Sequence, residues 1–345
     1  MESNYPFRNM VFEGGGMKGL AYLGVAEVID QYKIGQQIER VAGTSAGAIM
    51  AAVVSLRLSV QDTIDTFNSL DFSKVNRDEG LEDFATLPVR MKKDLNTPLS
   101  QLEAIRRLNN RFGLFPLTYL YKWLQEIIAD HCVGNGQATF ADFRKHGLRD
   151  LYVVASNLSK HEIQIFSAET TPDAPVADAV RMSMSIPFVF EALQFDGTQF
   201  GQGDWYVDGG LFKNYPIDIF DHPRYVSDES MFMRGANWET LGCHLYTPAD
   251  CEGTIIPITN VPTFGRNLFS SLLTIQKVRF QKEPLKKLRT ININDCCALA
   301  TDFSITPYSE KYNELVESGK TAAQVYFEQY QLPDQETITL AFEEN

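Results

Sequence analysis

Val41-Ala42-Gly43-Thr44-Ser45-Ala46-Gly47-Ala48-Ile49 reads as a short buried strand, a Gly-x-Ser-x-Gly turn and the start of an apolar helix that runs on to Leu58. In a nucleophile elbow a serine occupies a tight strand-to-helix turn, so its Oγ is exposed at the sheet edge with a helix N-terminus behind it. Gly43 and Gly47 leave room for that turn, where a side chain would clash with a neighbouring strand or helix. The positive end of the helix dipole favours a developing oxyanion at the same spot. Read alone, the pentapeptide also fits a Gly/Ser loop that caps a helix, so its neighbours must choose.

Upstream, Met10-Val11-Phe12-Glu13 is a short strand followed by Gly14-Gly15-Gly16-Met17-Lys18-Gly19 and a helix from about Leu20. The spacing Gly14-x-Gly16-x-x-Gly19 fits a dinucleotide fingerprint, with Glu39 at about the right distance for a ribose contact. A phosphate-binding P-loop is excluded, because no Gly-Lys-Ser/Thr follows at the required spacing. A third reading is an oxyanion hole, in which consecutive glycine amides converge on the oxygen of a tetrahedral intermediate. The following strand ends in a serine elbow where a nucleotide site would carry an acid. In a parallel sheet the two adjacent turns meet at the carboxyl edge, and the glycine amides then lie beside Ser45.

Downstream, Val60 to Leu70 and Leu117 to Ile128 have helical periodicity. Residues 70–130 read as a helical insertion and a candidate lid, interrupted at Gly80, Pro88, Pro98 and Gly113. Leu151-Tyr152-Val153-Val154-Ala155 is a continuous apolar run of the kind found in strands buried on both faces, with Gln164-Ile165-Phe166-Ser167 as its partner. Val176 to Ser183 is helical and must stop before Pro187, which forces Ile186 to be extended. Trp205-Tyr206-Val207 forms a strand that ends in Asp208-Gly209-Gly210, a carboxylate followed by two residues without side chains. An Asp-Gly turn is the plain alternative for that tripeptide.

A net charge of −13 argues against a general nucleic-acid binder. Five cysteines without a CxxC pair suggest buried thiols in a reducing compartment rather than a disulfide framework. No basic and then apolar leader is visible at Met1 to Arg8, and no run approaches the roughly 18–20 apolar residues of a spanning helix. The expectation is a cytoplasmic protein, able to associate peripherally with membranes.

Taken in order, Gly14–Gly19, Gly43-Thr44-Ser45-Ala46-Gly47, Ser183-Met184-Ser185-Ile186-Pro187 and Asp208-Gly209-Gly210 resemble the patatin-like phospholipase family. The likeness runs from about Met10 to Ile217 and includes Thr139-Phe140 and Lys213-Asn214-Tyr215-Pro216. Met182-Ser183 and Gly210 depart mildly from the family's usual residues. The resemblance implies a serine lipid acyl hydrolase with a Ser–Asp dyad: Ser45 as nucleophile, Asp208 as general base, and no cofactor or metal. It implies an oxyanion hole at Gly14, Gly15, Gly16 and Met17, supported by Lys18, Gly19, Gly43, Gly47, Gly209 and Gly210. The substrate class implied is a phospholipid or lysophospholipid. An aspartate serving as base near neutral pH should be buried enough to raise its pKa. The rivals are a Ser-His-Asp esterase using His222 or His244, and an effector whose lipase activity waits for an activator.

The expected architecture is α/β, a three-layer sandwich around a central, mainly parallel sheet. Residues 9–217 would form the catalytic domain and residues 218–345 an extension packed on it. Within that extension Thr263 to Leu288 reads as one long helix. Its basic end, with Lys277, Arg279, Lys282, Lys286, Lys287 and Arg289 around the single acid Glu283, is a candidate contact for an anionic membrane.

Overall fold

The computed structural model describes residues 5–75, 98–251 and 257–332. Its strands are β1 (Asn9–Phe12), β2 (Arg40–Thr44), β3 (Asp150–Asn157), β4 (Glu162–Phe166), β5 (Leu193–Phe195), β6 (Asp204–Asp208), the short pair β7 (Phe232–Met233) and β8 (Ala236–Asn237), β9 (Thr240–Tyr246) and β10 (Thr290–Asn294). The helices are α1 (Ala21–Gln31), α2 (Ala46–Ser55), α3 (Val60–Ser69), α4 (Pro98–Arg111), α5 (Thr118–His131), α6 (Phe140–Lys145), α7 (Val176–Ser183), α8 (Gly210–Lys213), α9 (Val261–Phe280), α10 (Pro284–Lys287) and α11 (Glu310–Gln329). The central part of the expected insertion, residues 76–97, and the C-terminal residues 333–345 lie outside the described residues.

The main sheet has the order β10-β9-β1-β2-β3-β6-β5, with β4 also paired to β3. From β10 to β3 every neighbour is parallel. Strands β4 and β6 run antiparallel to β3, and β5 antiparallel to β6. Alternation along the central strands explains their unbroken apolar sequences. Met10, Phe12, Val41, Leu151 and Val153 enter the large core, while Val11, Ala42 and Tyr152 enter a smaller cluster with Phe220 and Tyr225 on the opposite face. Helix α2 belongs to the large-core face through Ile49, Met50 and Val53. On the other face, Phe280 of α9 stacks on His244 of β9 with ring centroids 4.2 Å apart. Strands β9 and β10 extend the same sheet beyond β1, so residues past 221 complete the sheet that carries the glycine loop.

One register positions the site. Residues 150–154 of β3 pair with β2, and residues 155–157 pair with β6. The opposite edge is taken by β4 over residues 153–157. Strands β2 and β6 therefore share one edge of β3 and meet end to end, with Thr44 opposite Val154 and Asp208 opposite Ala155. Because β6 runs antiparallel, its C-terminal residue is the one that arrives at the end of β2.

Three expectations need correction. The long helix stops at Phe280 and α10 restarts at Pro284, where proline removes the backbone donor that continuity requires. The basic cluster is not one surface patch. Arg289 is buried and donates to both Asp221 carboxylate oxygens (2.7 and 2.8 Å) and to the Asn237 carbonyl (2.8 Å). Lys286 pairs with Asp218 and Glu283, and Lys277 Nζ donates to the Leu245 carbonyl, which leaves Arg279, Lys282 and Lys287 exposed. Finally, Cys251 and Cys297 form a disulfide with Cα atoms 5.5 Å apart. They follow β9 and β10, neighbours in the sheet, and so converge although 46 residues separate them. Cys132 and Cys243 are buried thiols, as expected.

Candidate active site

Ser45 stands between β2 and α2 with φ 54° and ψ −126°, a conformation sparsely populated by residues with side chains. The chain tolerates it because the surroundings determine the turn from three sides. A Cβ on Gly43 would lie 2.1 Å from the Gly47 carbonyl oxygen, and one on Gly47 would lie 2.5 Å from that of Phe12. The Ser45 amide donates to Ser183 Oγ (2.8 Å), and Ser183 Oγ donates to the Val154 carbonyl (2.6 Å). The strained turn is thus pinned to the core by hydrogen bonds as well as by packing.

Ser45 Oγ donates directly to Asp208 Oδ2 at 2.7 Å. The other carboxylate oxygen accepts the Gly210 amide at 2.7 Å, and the Asp208 amide donates to the Ser185 carbonyl at 2.8 Å. Asp208 is fully buried, and that burial pushes its carboxyl up to about 7, against the lowering effect of the Ser45 and Gly210 hydrogen bonds. A carboxylate so placed can hold and release a proton near neutral pH.

The glycine loop abuts the serine: a Cβ on Gly14 would come within 3.1 Å of Ser45 Cβ. Two of its four candidate donors are already engaged. The Gly14 amide donates to the Asn214 carbonyl (3.0 Å) and the Met17 amide to the Ala300 carbonyl (3.0 Å). Among the described residues the Gly15 and Gly16 amides have no partner, and neither has the Ala46 amide at the first turn of α2. Asn214 holds the loop from below, its Nδ2 donating to the Gly14 carbonyl (2.9 Å) and to Glu13 Oε1 (3.0 Å). Lys18 Nζ turns to the buried Asp295 at 2.5 Å, tying the loop to the end of β10. Gly209 and Gly210 let the chain pass close behind the site, beside the Val154 carbonyl and the Asp208 carboxylate.

The rival residues lie elsewhere in the hydrogen-bond network. His222 is exposed and accepts the Arg224 amide as the cap of a short turn. His244 is buried, with Nδ1 2.8 Å from Asn292 Oδ1 and Nε2 3.8 Å from Glu13 Oε2. Glu39, the proposed ribose ligand, pairs with Arg8 and Arg40. Among the described residues no three His, Cys, Asp or Glu side chains gather as a metal site. The sequence assigns the Ser183 to Pro187 loop a structural role near the site without chemistry, and it names Asn214 only within a linking piece and does not include the Ala46 amide. The elbow rule does contain the last, since the residue after the nucleophile commonly supplies a donor.

The fold and this geometry agree with what the chain resembles. Residues 10–221 match the model of the patatin-like phospholipases, and the chain belongs to that family. It is 28% identical to the uncharacterized protein YqhO of Bacillus subtilis (strain 168) over 327 residues, 93% of this chain and 98% of that protein. It is 26% identical to "Probable lipid hydrolase 463L" of Invertebrate iridescent virus 6 over 213 residues, 62% of this chain and 63% of that one. Among solved structures, VipD from Legionella pneumophila superposes with a TM-score of 0.56 at 19% identity, covering 94% of this chain and 67% of that one, a likeness of fold.

Proposed function

We propose that the protein is a serine lipid acyl hydrolase of phospholipase A or lysophospholipase type, cleaving carboxylic esters of phospholipids through a Ser45–Asp208 dyad. The observation that carries this reading is the 2.7 Å hydrogen bond from a strained elbow serine to a buried carboxylate. Membership of a phospholipase family supports the substrate class.

In this mechanism Ser45 Oγ attacks the ester carbonyl carbon while its proton passes to Asp208 Oδ2. The unpaired amides of Gly15, Gly16 and Ala46 are the donors for the oxyanion, each worth several kcal/mol when preorganised, about 3 by analogy with other holes. Collapse of the tetrahedral intermediate breaks the C–O bond, and the leaving alkoxide takes the proton from Asp208. Water, deprotonated by the same carboxylate, then attacks the acyl-Ser45 carbonyl; the acyl–Oγ bond breaks, the fatty acid leaves and Ser45 Oγ takes the proton back from Asp208. Asp208 near neutrality serves both steps, as base and then as acid.

The test is mass spectrometry of a phospholipid and lysophospholipid panel after incubation with wild type and Ser45→Ala, with and without cell extract. Fatty acid released by wild type alone supports the proposal. Equal release by Ser45→Ala, or none under either condition, overturns it.

A further inference from the structure

Helix α9 carries two apolar faces, and among the described residues only one of them is covered. Its inner face is fixed on the segment that follows Asp208. Phe269 lies against Gly210, Gly265 against Phe188, and Gln276 bonds both the Gly210 carbonyl and the Asn214 amide at 2.8 Å. Its outer face shows Val261, Phe264, Leu268, Ile275 and Val278, each 49–55% exposed. Successive spacings of three, four, seven and three residues place all five within one stripe of the helix. An exposed apolar stripe of this length on an ordered 20-residue helix marks an interaction surface rather than scattered surface residues.

The charges on the helix select the partner. Val261–Phe280 holds no acid, in a chain with 44 acidic residues and a net charge of −13; of its three cations, Arg266 donates to Thr301 and Lys277 to the Leu245 carbonyl, and Arg279 is exposed. Exposed Arg279 and Lys282 continue the stripe at its C-terminal end. Apolar residues along one face with cations at the end match a lipid surface bearing anionic headgroups, where the side chains enter the acyl boundary and the cations meet phosphate. A second copy of this acidic chain would supply neither anionic phosphate nor acyl chains.

We propose that the outer face of α9 docks the protein on an anionic phospholipid surface, lying flat in the interface beside the Ser45–Asp208 site. This rests on the lipid acyl hydrolase reading and adds to it the route by which substrate is presented. Since the inner face of the same helix packs on Gly210 and Asn214, docking sets the site at the membrane rather than at a distance from it.

The experiment is flotation with phosphatidylcholine vesicles, with and without phosphatidylglycerol, alongside hydrolysis of a monodisperse short-chain ester. Wild type should float with the phosphatidylglycerol vesicles. The triple variant Phe264→Ser, Leu268→Ser, Ile275→Ser should bind roughly tenfold less or weaker still, with an unchanged melting temperature and unchanged hydrolysis of the soluble ester. Arg279→Glu with Lys282→Glu should abolish the preference for phosphatidylglycerol. Equal flotation of wild type and the triple variant overturns the proposal, as does wild type that never floats. A lipid-free wild-type dimer that the triple variant converts to monomer overturns it also, since the stripe would then be a self-association face. Stripe-dependent flotation without any ester hydrolysis leaves docking standing and rejects the activity. Hydrolysis without flotation does the reverse.

Discussion

Ser183 accepts the Ser45 amide at 2.8 Å and donates its own proton to the Val154 carbonyl at 2.6 Å. This one hydroxyl joins the Ser45 turn, the end of α7 and the central strand. Ser183→Ala leaves two buried backbone groups unpaired, a loss of roughly 1–3 kcal/mol. Denaturant unfolding should show that loss, and turnover of the soluble ester should fall while KM stays within a small factor.

Asp208→Asn keeps the shape of the side chain and removes the proposed base. Ester hydrolysis should fall by about 10²–10⁴, with the fold intact by circular dichroism. His222→Ala and His244→Ala should retain turnover; loss of activity in either with retention in Asp208→Asn would reverse the assignment of the base.

The pH profile follows from the same burial. The Asp208 carboxyl is raised to about 7 and must be ionised to accept the Ser45 proton, so kcat/KM should climb as pH rises through about 7 and flatten above it. The stability sign is opposite. Between about 4, the ordinary carboxyl value, and about 7 the folded state holds a proton that the unfolded state has lost, so this group's contribution to stability declines as pH rises through that window. Asp208→Asn should therefore gain in relative melting temperature between pH 5 and pH 8 as probed in buffers of about those values.

Gly43→Ala would place a methyl 2.1 Å from the Gly47 carbonyl oxygen, against the Gly47–Ala48 backbone and with no side chain to yield. The expected cost is about 3 kcal/mol or more, visible as loss of soluble protein or a steeply lowered melting temperature. A well-folded, active Gly43→Ala would mean that the turn is not as tight as described.

Lys18→Met separates a supporting role from a catalytic one. It leaves Asp295 buried beside Thr247 without its cation, a destabilisation of roughly 3 kcal/mol. The melting temperature should drop, while turnover at a temperature where the variant remains folded should change much less than in Ser45→Ala.

The sequence alone was informative where the chemistry is local. A short buried strand, a glycine on each side of a serine, and an apolar helix beginning one residue later specify the elbow, because backbone room and helix start are set within about ten residues. The order of the glycine loop, the elbow, the Ser183 segment and Asp208 was also legible, and with it the family. Long-range pairing was not. Nothing in Trp205-Tyr206-Val207 says that β6 runs against β3 and shares its edge with β2, yet that direction brings Asp208 to Ser45. Six cations near residues 277–289 looked alike in the sequence, but Arg289 is inside, paired with Asp221.

The sequence by itself thus determined the candidate groups and the turns that hold them, since those depend on neighbouring residues and on the space glycine leaves. Tertiary structure alone decided that Asp208 meets Ser45, that its burial raises its pKa to about 7, and that among the described residues the Gly15 and Gly16 amides are the ones of the glycine loop left unpaired. Desolvation and hydrogen-bond satisfaction are sums over atoms brought together from distant parts of the chain. No local pattern of residues can carry them.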